Sequence, residues 1–277
     1  MIKNDLRPDG LEVDWLQYRG IKVRYGQRAS RDGLPPLLIF NGIGASMELL
    51  TPFIESLPDA GIITFDVPGA GDSQAPLLPW RLSSHARLAS VIMRRLGVST
   101  VNVLGVSWGG ALAQQFVRQY PECANRLILA ATSPGQLMVP AKPSVLLKMA
   151  HVRRFSDPGY MRTIAGEIYG GSLRTDHSSL ARHTANMRRP NERGYYYQML
   201  AGLGWSSLCW LHKLKQPTLV LQGSDDPIIP TINAKILAHL IPDARLHMVD
   251  CGHLFLLTRV NSLSPLITDF LSGREIR

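Results

Sequence analysis

Three residues combine the side chains and surroundings needed for nucleophilic catalysis: Ser107, Asp226 and His253. Ser107 sits in Gly105-Val106-Ser107-Trp108-Gly109, a G-x-S-x-G pentapeptide. An apolar, β-branched run precedes it, and a helix-forming segment stopped by Pro121 follows. A serine hydroxyl is a weak nucleophile, so it must project from a tight turn beside a base. Glycine at 105 and 109 lets strand and helix pass close on either side of it. The turn also leaves the Trp108 amide at a helix N-terminus, where unpaired N–H groups and the dipole favour negative charge. A histidine base needs an acid to hold its tautomer and stabilise its imidazolium. Asp225 and Asp226, in Gln222-Gly223-Ser224-Asp225-Asp226-Pro227, compete for that role. His253 follows Gly252, which permits a tight turn toward the serine. The other seven histidines (His85, His151, His177, His183, His212, His239, His247) lack a strand-then-turn context and read as surface or packing residues.

The elements that must position these groups can be read from hydrophobic rhythm. Residues 11–18 and 21–28 suggest two antiparallel strands joined at Arg19-Gly20. Short apolar strands follow at 37–40, 62–65, 101–106, 126–131, 218–221 and 245–249, with helical rhythm at 83–96, after the elbow, at 232–240 and at 263–271. Alternation of apolar strands with helices implies a parallel sheet covered on both faces. With the elbow on a central strand, the expected fold is that of the α/β hydrolases. It has an eight-stranded, mostly parallel sheet with helices on both faces and a helical cap inserted after strand 6. Residues 1–134 and 217–277 would form the core, and 135–216 the cap.

That fold sharpens the site. Active residues lie beyond the carboxyl ends of the strands, and the order Ser107, Asp226, His253 is the fold's chain order. Asp226, three residues after Gly223 and four before Pro230, matches the spacing of the acid in many such enzymes, which leaves Asp225 as a turn or N-cap residue. Asn41-Gly42-Ile43-Gly44 follows the third strand, so the Ile43 amide is expected to join Trp108 in an oxyanion hole, with Gly42 letting the backbone near the substrate. Asn41 either orients this loop or is a simple turn residue. Asp66, in Asp66-Val67-Pro68-Gly69, reads as a structural turn. A cap shares its core with the acyl pocket, so Tyr195, Tyr196 and Trp205 are expected to face substrate together with Asn41 and Gly42.

Composition excludes several classes. No apolar run approaches the roughly 18 residues needed to span a bilayer. Three cysteines are too few and scattered for a disulfide framework or zinc site. No dinucleotide or Walker loop and no H-E-x-x-H motif is present, so no cofactor, metal or nucleic acid is expected. Met1–Arg7 is polar, unlike a signal peptide, and a cytoplasmic protein is expected. The net charge of +9 is concentrated: residues 136–216 hold 12 Lys+Arg against 4 Asp+Glu. The arginines at 153, 154, 162, 174, 182, 188, 189 and 193 form either a docking surface or a solvated face.

The chain resembles the bacterial intracellular medium-chain-length poly(3-hydroxyalkanoate) depolymerases. The stretches that carry the resemblance include 37–45 (LLIFNGIGA), 65–69 (FDVPG), 101–116, 138–143, 168–171, 194–205, 226–230 and 252–258 (GHLFLLT), spanning core and cap. The resemblance implies a serine esterase acting on stored polyester granules or small esters through Ser107, Asp226 and His253. Ala70-Gly71-Asp72 and Gln222-Gly223-Ser224 depart from the family and leave side-chain preference open. A general carboxylesterase or lactonase, or a carbon–carbon bond hydrolase, would use the same machinery. A non-catalytic, hydrolase-derived binding protein need not keep all three residues. Oligomeric state is not legible.

Overall fold

The computed structural model describes residues 7, 9–151, 153–185, 188 and 191–274. Among these, eight strands form one sheet: β1 (Glu12–Tyr18), β2 (Ile21–Arg28), β3 (Leu37–Phe40), β4 (Ile62–Phe65), β5 (Val101–Val106), β6 (Ala124–Ala130), β7 (Thr218–Gly223) and β8 (Ala244–Val249). Their order across the sheet is β1-β2-β4-β3-β5-β6-β7-β8. β1 and β2 pair antiparallel and β2 joins β4 antiparallel, while all later pairings are parallel. The α/β-hydrolase architecture expected from the sequence is therefore the one formed.

Period-two side-chain alternation splits the core into two layers. On one face, Leu38, Phe40, Val103, Leu127, Leu129 and Val220 pack against α2 (Leu82–Arg95), α3 (Trp108–Gln119) and α9 (Ile232–Leu240). On the other, Leu37, Ile39, Leu104, Ile128, Leu219 and Leu221 meet α1 (Thr51–Glu55), α10 (Phe255–Thr258) and α11 (Val260–Ser272). Every residue of β3, β4 and β7 is buried, the pattern of parallel strands covered on both sides. Each large apolar side chain so buried contributes about 1.5–3 kcal/mol.

Between β6 and β7 the chain makes helices α4 (Pro143–Ala150), α5 (Arg153–Ser156), α6 (Pro158–Tyr169), α7 (His177–Ala185) and α8 (Glu192–Ala201). Asp157 caps α6 through the Tyr160 amide, and Asn191 caps α8 through that of Gly194. A third apolar cluster joins α4 and α6 to Ile228 and Ile229, residues of the loop after β7. The insertion thus shares a core with the loop that carries Asp226. Gly194 of α8 lies directly on Gly69, so closely that a side chain on either would strike the other's backbone.

Candidate active site

The turn between β5 and α3 is strained. Ser107 has φ 54° and ψ −118°, a region that costs a non-glycine residue about 1–3 kcal/mol. Three hydrogen bonds hold it there. Its amide donates to the Ala130 carbonyl (2.9 Å), its carbonyl accepts from the Gly110 amide (2.9 Å), and the Thr132 hydroxyl donates to the same carbonyl (2.7 Å). Ala131 is itself left-handed (φ 48°), which turns the chain at the end of β6 and brings Thr132 to the elbow. A Cβ on Gly105 would lie 2.6 Å from Gly110 Cα, and one on Gly109 would press into the Phe40 and Asn41 carbonyls. Glycine at these positions is what lets α3 leave the sheet at so sharp an angle.

The loop after β3 runs beside this turn, and a Cβ built on Gly42 would sit 3.9 Å from Ser107 Cβ. Asn41 orients the loop: its amide nitrogen donates to the Ser46 carbonyl (2.8 Å) and its side-chain oxygen accepts from the Gly42 amide (2.8 Å). The Gly44 amide donates to the Gln198 side-chain oxygen (3.0 Å). Gln198 is buried on α8, and its backbone carbonyl accepts from Trp108 Nε1 (2.8 Å). The amides of Ile43 and Trp108, by contrast, donate to no group among the described residues. Two free donors on adjoining backbone segments suit a developing oxyanion.

His253 Nδ1 stands 2.8 Å from Asp226 Oδ2, and both residues are buried. Asp226 is held from every side. Its Oδ1 accepts from the Ile228 and Ile229 amides (2.9 Å each), and its Oδ2 also accepts from Gln222 Nε2 (3.1 Å). The backbone amide of His253 donates to the Tyr169 carbonyl at the end of α6 (2.7 Å). Ser107 Oγ makes no hydrogen bond to the ring, but Ser107 and His253 line one cavity of ≈ 680 Å³, its mouth included. Most of the cavity wall is aliphatic or aromatic, including Ile43, Leu49, Leu50, Met149, Phe155 and Leu257, with Asn41 and Gly42 beside the serine. In such a site a serine can be deprotonated by imidazole and its tetrahedral adduct stabilised, with no metal or cofactor required.

The structure revises several expectations. Tyr195 is fully buried behind the cavity wall, its hydroxyl donating to the Met149 carbonyl (2.6 Å) and accepting from Arg154 (3.3 Å). Tyr196 is nearly half exposed and packs edge-on against Tyr195, outside the lining. Trp205 packs on Gly135 and Trp210, with Nε1 donating to Gln115 on α3, away from the cavity. Tyr195, Tyr196 and Trp205 serve the packing of the insertion, whereas Met149, Arg154, Phe155, Tyr169 and His183 reach the cavity. Asp225 lies in the turn directly after β7, as its context implied, and its carboxylate does more than shape that turn. It accepts from Arg174 at both oxygens (2.7 and 2.9 Å) and from the Gly171 amide (2.7 Å), tying the loop after β7 to the insertion.

The basic cluster divides as well. Arg153 pairs with Asp157, Arg174 with Asp225, and Arg188 with Asp72 and Glu48. Arg154 is buried, while Arg162 and Arg193 are exposed. Arg189 and the side chain of Arg182 lie outside the described residues. Asp66 is fully buried at the end of β4, accepting from the Met47 and Asp72 amides and pairing with Arg24, and burial pushes its carboxyl up to about 6. Burial likewise lowers His85 to about 3, and burial followed by the charge of Arg154 lowers His183 to about 4, so both are neutral imidazoles near pH 7.

Residues 35–260 match the family model described as the alpha/beta hydrolase fold. A poly(3-hydroxyalkanoate) depolymerase of Ectopseudomonas oleovorans is 52% identical over 256 residues, 92% of this chain and 90% of the relative. A 2-hydroxy-6-oxononadienedioate/2-hydroxy-6-oxononatrienedioate hydrolase of Pseudomonas sp is 26% identical over 247 residues, 85% of this chain and 87% of the relative. The crystal structure of the enol-lactonase from Burkholderia xenovorans LB400 superimposes with a TM-score of 0.79 at 20% identity, covering 94% of this chain and 100% of that one, which is a likeness of fold. On the strength of the match at 52% identity, this chain belongs to the poly(3-hydroxyalkanoate) depolymerase family of α/β hydrolases and is a carboxylic ester hydrolase.

Proposed function

We propose that the chain hydrolyses the ester bonds of an intracellular medium-chain-length poly(3-hydroxyalkanoate), releasing 3-hydroxy acids or oligomers through a Ser107–His253–Asp226 triad. The observation that carries this reading is the buried His253–Asp226 pair sharing one apolar cavity with a serine on a strained elbow. His253 takes the Ser107 proton as Oγ attacks the carbonyl, and the oxyanion receives the Ile43 and Trp108 amides. Collapse expels the chain's hydroxyl, protonated by His253, and leaves an acyl-enzyme. His253 then activates a water to release the acid. Residues 135–216 act as a cap on a core formed by 1–134 and 217–277, and the aliphatic cavity beneath takes the alkyl side chain of a monomer unit.

Exposed apolar residues flank the cap. Leu77 and Leu78 lie before α2, Leu200 lies near the end of α8 and Leu203 in the turn after it, with the Tyr197 hydroxyl bonded to the Leu77 carbonyl (2.9 Å). They supply a surface for a water-insoluble granule better than arginines already paired with carboxylates do. No helix among the described residues is long and apolar enough to cross a membrane. The decisive experiment offers medium-chain polyester granules and a soluble acyl ester to the purified protein, with Ser107→Ala as control. Release of 3-hydroxy acid from granules by the active protein alone is expected. Cleavage of the soluble ester with untouched granules would turn the assignment to a general carboxylesterase.

A further inference from the structure

Arg154 is an anomaly in this cavity. Its residue is only 4% exposed, yet no Asp or Glu pairs with it among the described residues. A buried cation without a counter-charge is costly unless other groups receive it. Two of its N–H groups donate to phenols, Nη1 to Tyr169 (3.2 Å) and Nη2 to Tyr195 (3.3 Å). Its guanidinium also lies 4.0 Å from the Phe155 ring centroid. Burial raises the Tyr169 phenol above its ordinary range, so that oxygen stays neutral and does not cancel the charge. Nε is buried with no hydrogen-bond partner among the described residues.

His183 deepens the anomaly. It is 7% exposed, neither of its ring nitrogens has a hydrogen-bond partner among the described residues, and its ring packs edge-on against Tyr169. Arg154, His183 and Tyr169 all line the cavity that holds Ser107 and His253. The Nε edge of a guanidinium carries two parallel N–H groups whose spacing matches a planar anion, and a neutral imidazole has one further N–H to donate. The remaining wall is apolar, so the feature is one polar anchor in a hydrophobic chamber.

We propose that Arg154 and His183 form an anion subsite that binds the free carboxylate of a hydroxyalkanoate chain, so that the enzyme selects the carboxyl-terminal end of oligomers. This rests on the proposed polyester reading, because an internal polyester unit is neutral and offers nothing to Arg154. Only a chain terminus or a released acid brings a carboxylate into the cavity. The enzyme would then work inward from carboxylate ends and bind its own product.

The test uses 3-hydroxyoctanoate and its methyl ester, which differ by the negative charge and one methyl group. Each is titrated calorimetrically into Ser107→Ala protein, and the 3-hydroxyoctanoate dimer and its methyl ester are compared as substrates of the active enzyme. Hydrogen bonds to a charged partner in a buried site predict a preference of about ten- to hundredfold for the acid. Arg154→Met on the Ser107→Ala background should erase that preference, and Arg154→Lys should keep part of it. Equal affinity for acid and ester with Arg154 intact would overturn the subsite, as would a preference that survives Arg154→Met. If Arg154→Met does not fold, the comparison with Arg154 intact still decides. Granule hydrolysis without acid preference would refute the subsite alone. Acid preference without granule hydrolysis would refute the polymer reading and leave the subsite standing.

Discussion

The two aspartates after β7 are adjacent in sequence and opposite in consequence. In Asp226→Asn one new NH₂ group replaces an oxygen that now accepts only. If it faces His253 and Gln222, it meets two donors, the Nδ1–H and Nε2–H groups that Oδ2 now receives at 2.8 and 3.1 Å. If it faces the other way, it meets the Ile228 and Ile229 amides instead. Backbone amides cannot change sense, whereas an imidazole can shift its proton. The variant should therefore keep the two backbone bonds and force the proton from Nδ1 to Nε2. Nε2 then cannot accept the Ser107 proton, and kcat should fall by about 10⁴. Asp225→Asn removes a pair with Arg174 whose two side chains are each about half exposed, a pair worth no more than about 1 kcal/mol. Its remaining oxygen can still accept from Gly171. Stability should drop slightly and kcat should stay within a few fold. The assay is turnover of a soluble chromogenic ester, with thermal unfolding measured in parallel. A folded Asp225→Asn protein that loses activity as severely as Asp226→Asn would refute the assignment of the acid.

Ser107→Ala and His253→Ala should each lose about 10⁴–10⁶ in kcat while remaining folded, since triad members act as a unit; substantial turnover by either folded variant would remove that residue from the mechanism. Gln198→Leu deletes the acceptor for the Gly44 amide and leaves a buried N–H unsatisfied, a loss of about 1–3 kcal/mol felt in the loop that carries Ile43. It should lower kcat about tenfold or more with a smaller change in KM. Gln198→Glu, which retains an acceptor at that reach, should lose less, and equal loss in both variants would point to packing alone.

What the sequence disclosed is what local pattern encodes. The elbow, the strand ends and the order of Ser107, Asp226 and His253 are visible because each needs a turn of stated type next to an apolar run. The sheet follows from the same runs, and period-two alternation assigns Leu38 and Leu37 to opposite layers once their strand is known. The contacts that finish the site are long-range and leave no such mark. Gln198 reaches Gly44 across 154 positions, and Asp225 reaches Arg174 across 51. Thr132 meets Ser107 only because Ala131 adopts a left-handed turn, for which alanine gives no signal. The aromatic run around Tyr195 announces burial but not direction, so Tyr195, Tyr196 and Trp205 were expected at the substrate. Arg154, placed by composition on a basic surface, lies instead among tyrosines in the cavity wall.

These long-range contacts change what the insertion is for. Each loop that carries a proposed catalytic element is fastened to it by a bond that is short and largely backbone-mediated. Tyr169 receives the His253 amide, Gly171 donates to the residue beside Asp226, and Gln198 joins Gly44 to the Trp108 ring. A lid that merely shielded the cavity would touch its rim with side chains able to let go. Here a displacement of α6 or α8 would break hydrogen bonds to the very segments whose geometry must hold to a fraction of an ångström, and each such bond lost in a buried site costs about 1–3 kcal/mol. The same helices supply Tyr169, and α5 and α7 supply Arg154 and His183, to the cavity. Specificity and preorganisation would therefore be mechanically linked: the residues that would choose the substrate sit on the elements that hold the elbow, the proposed oxyanion loop and the histidine in register.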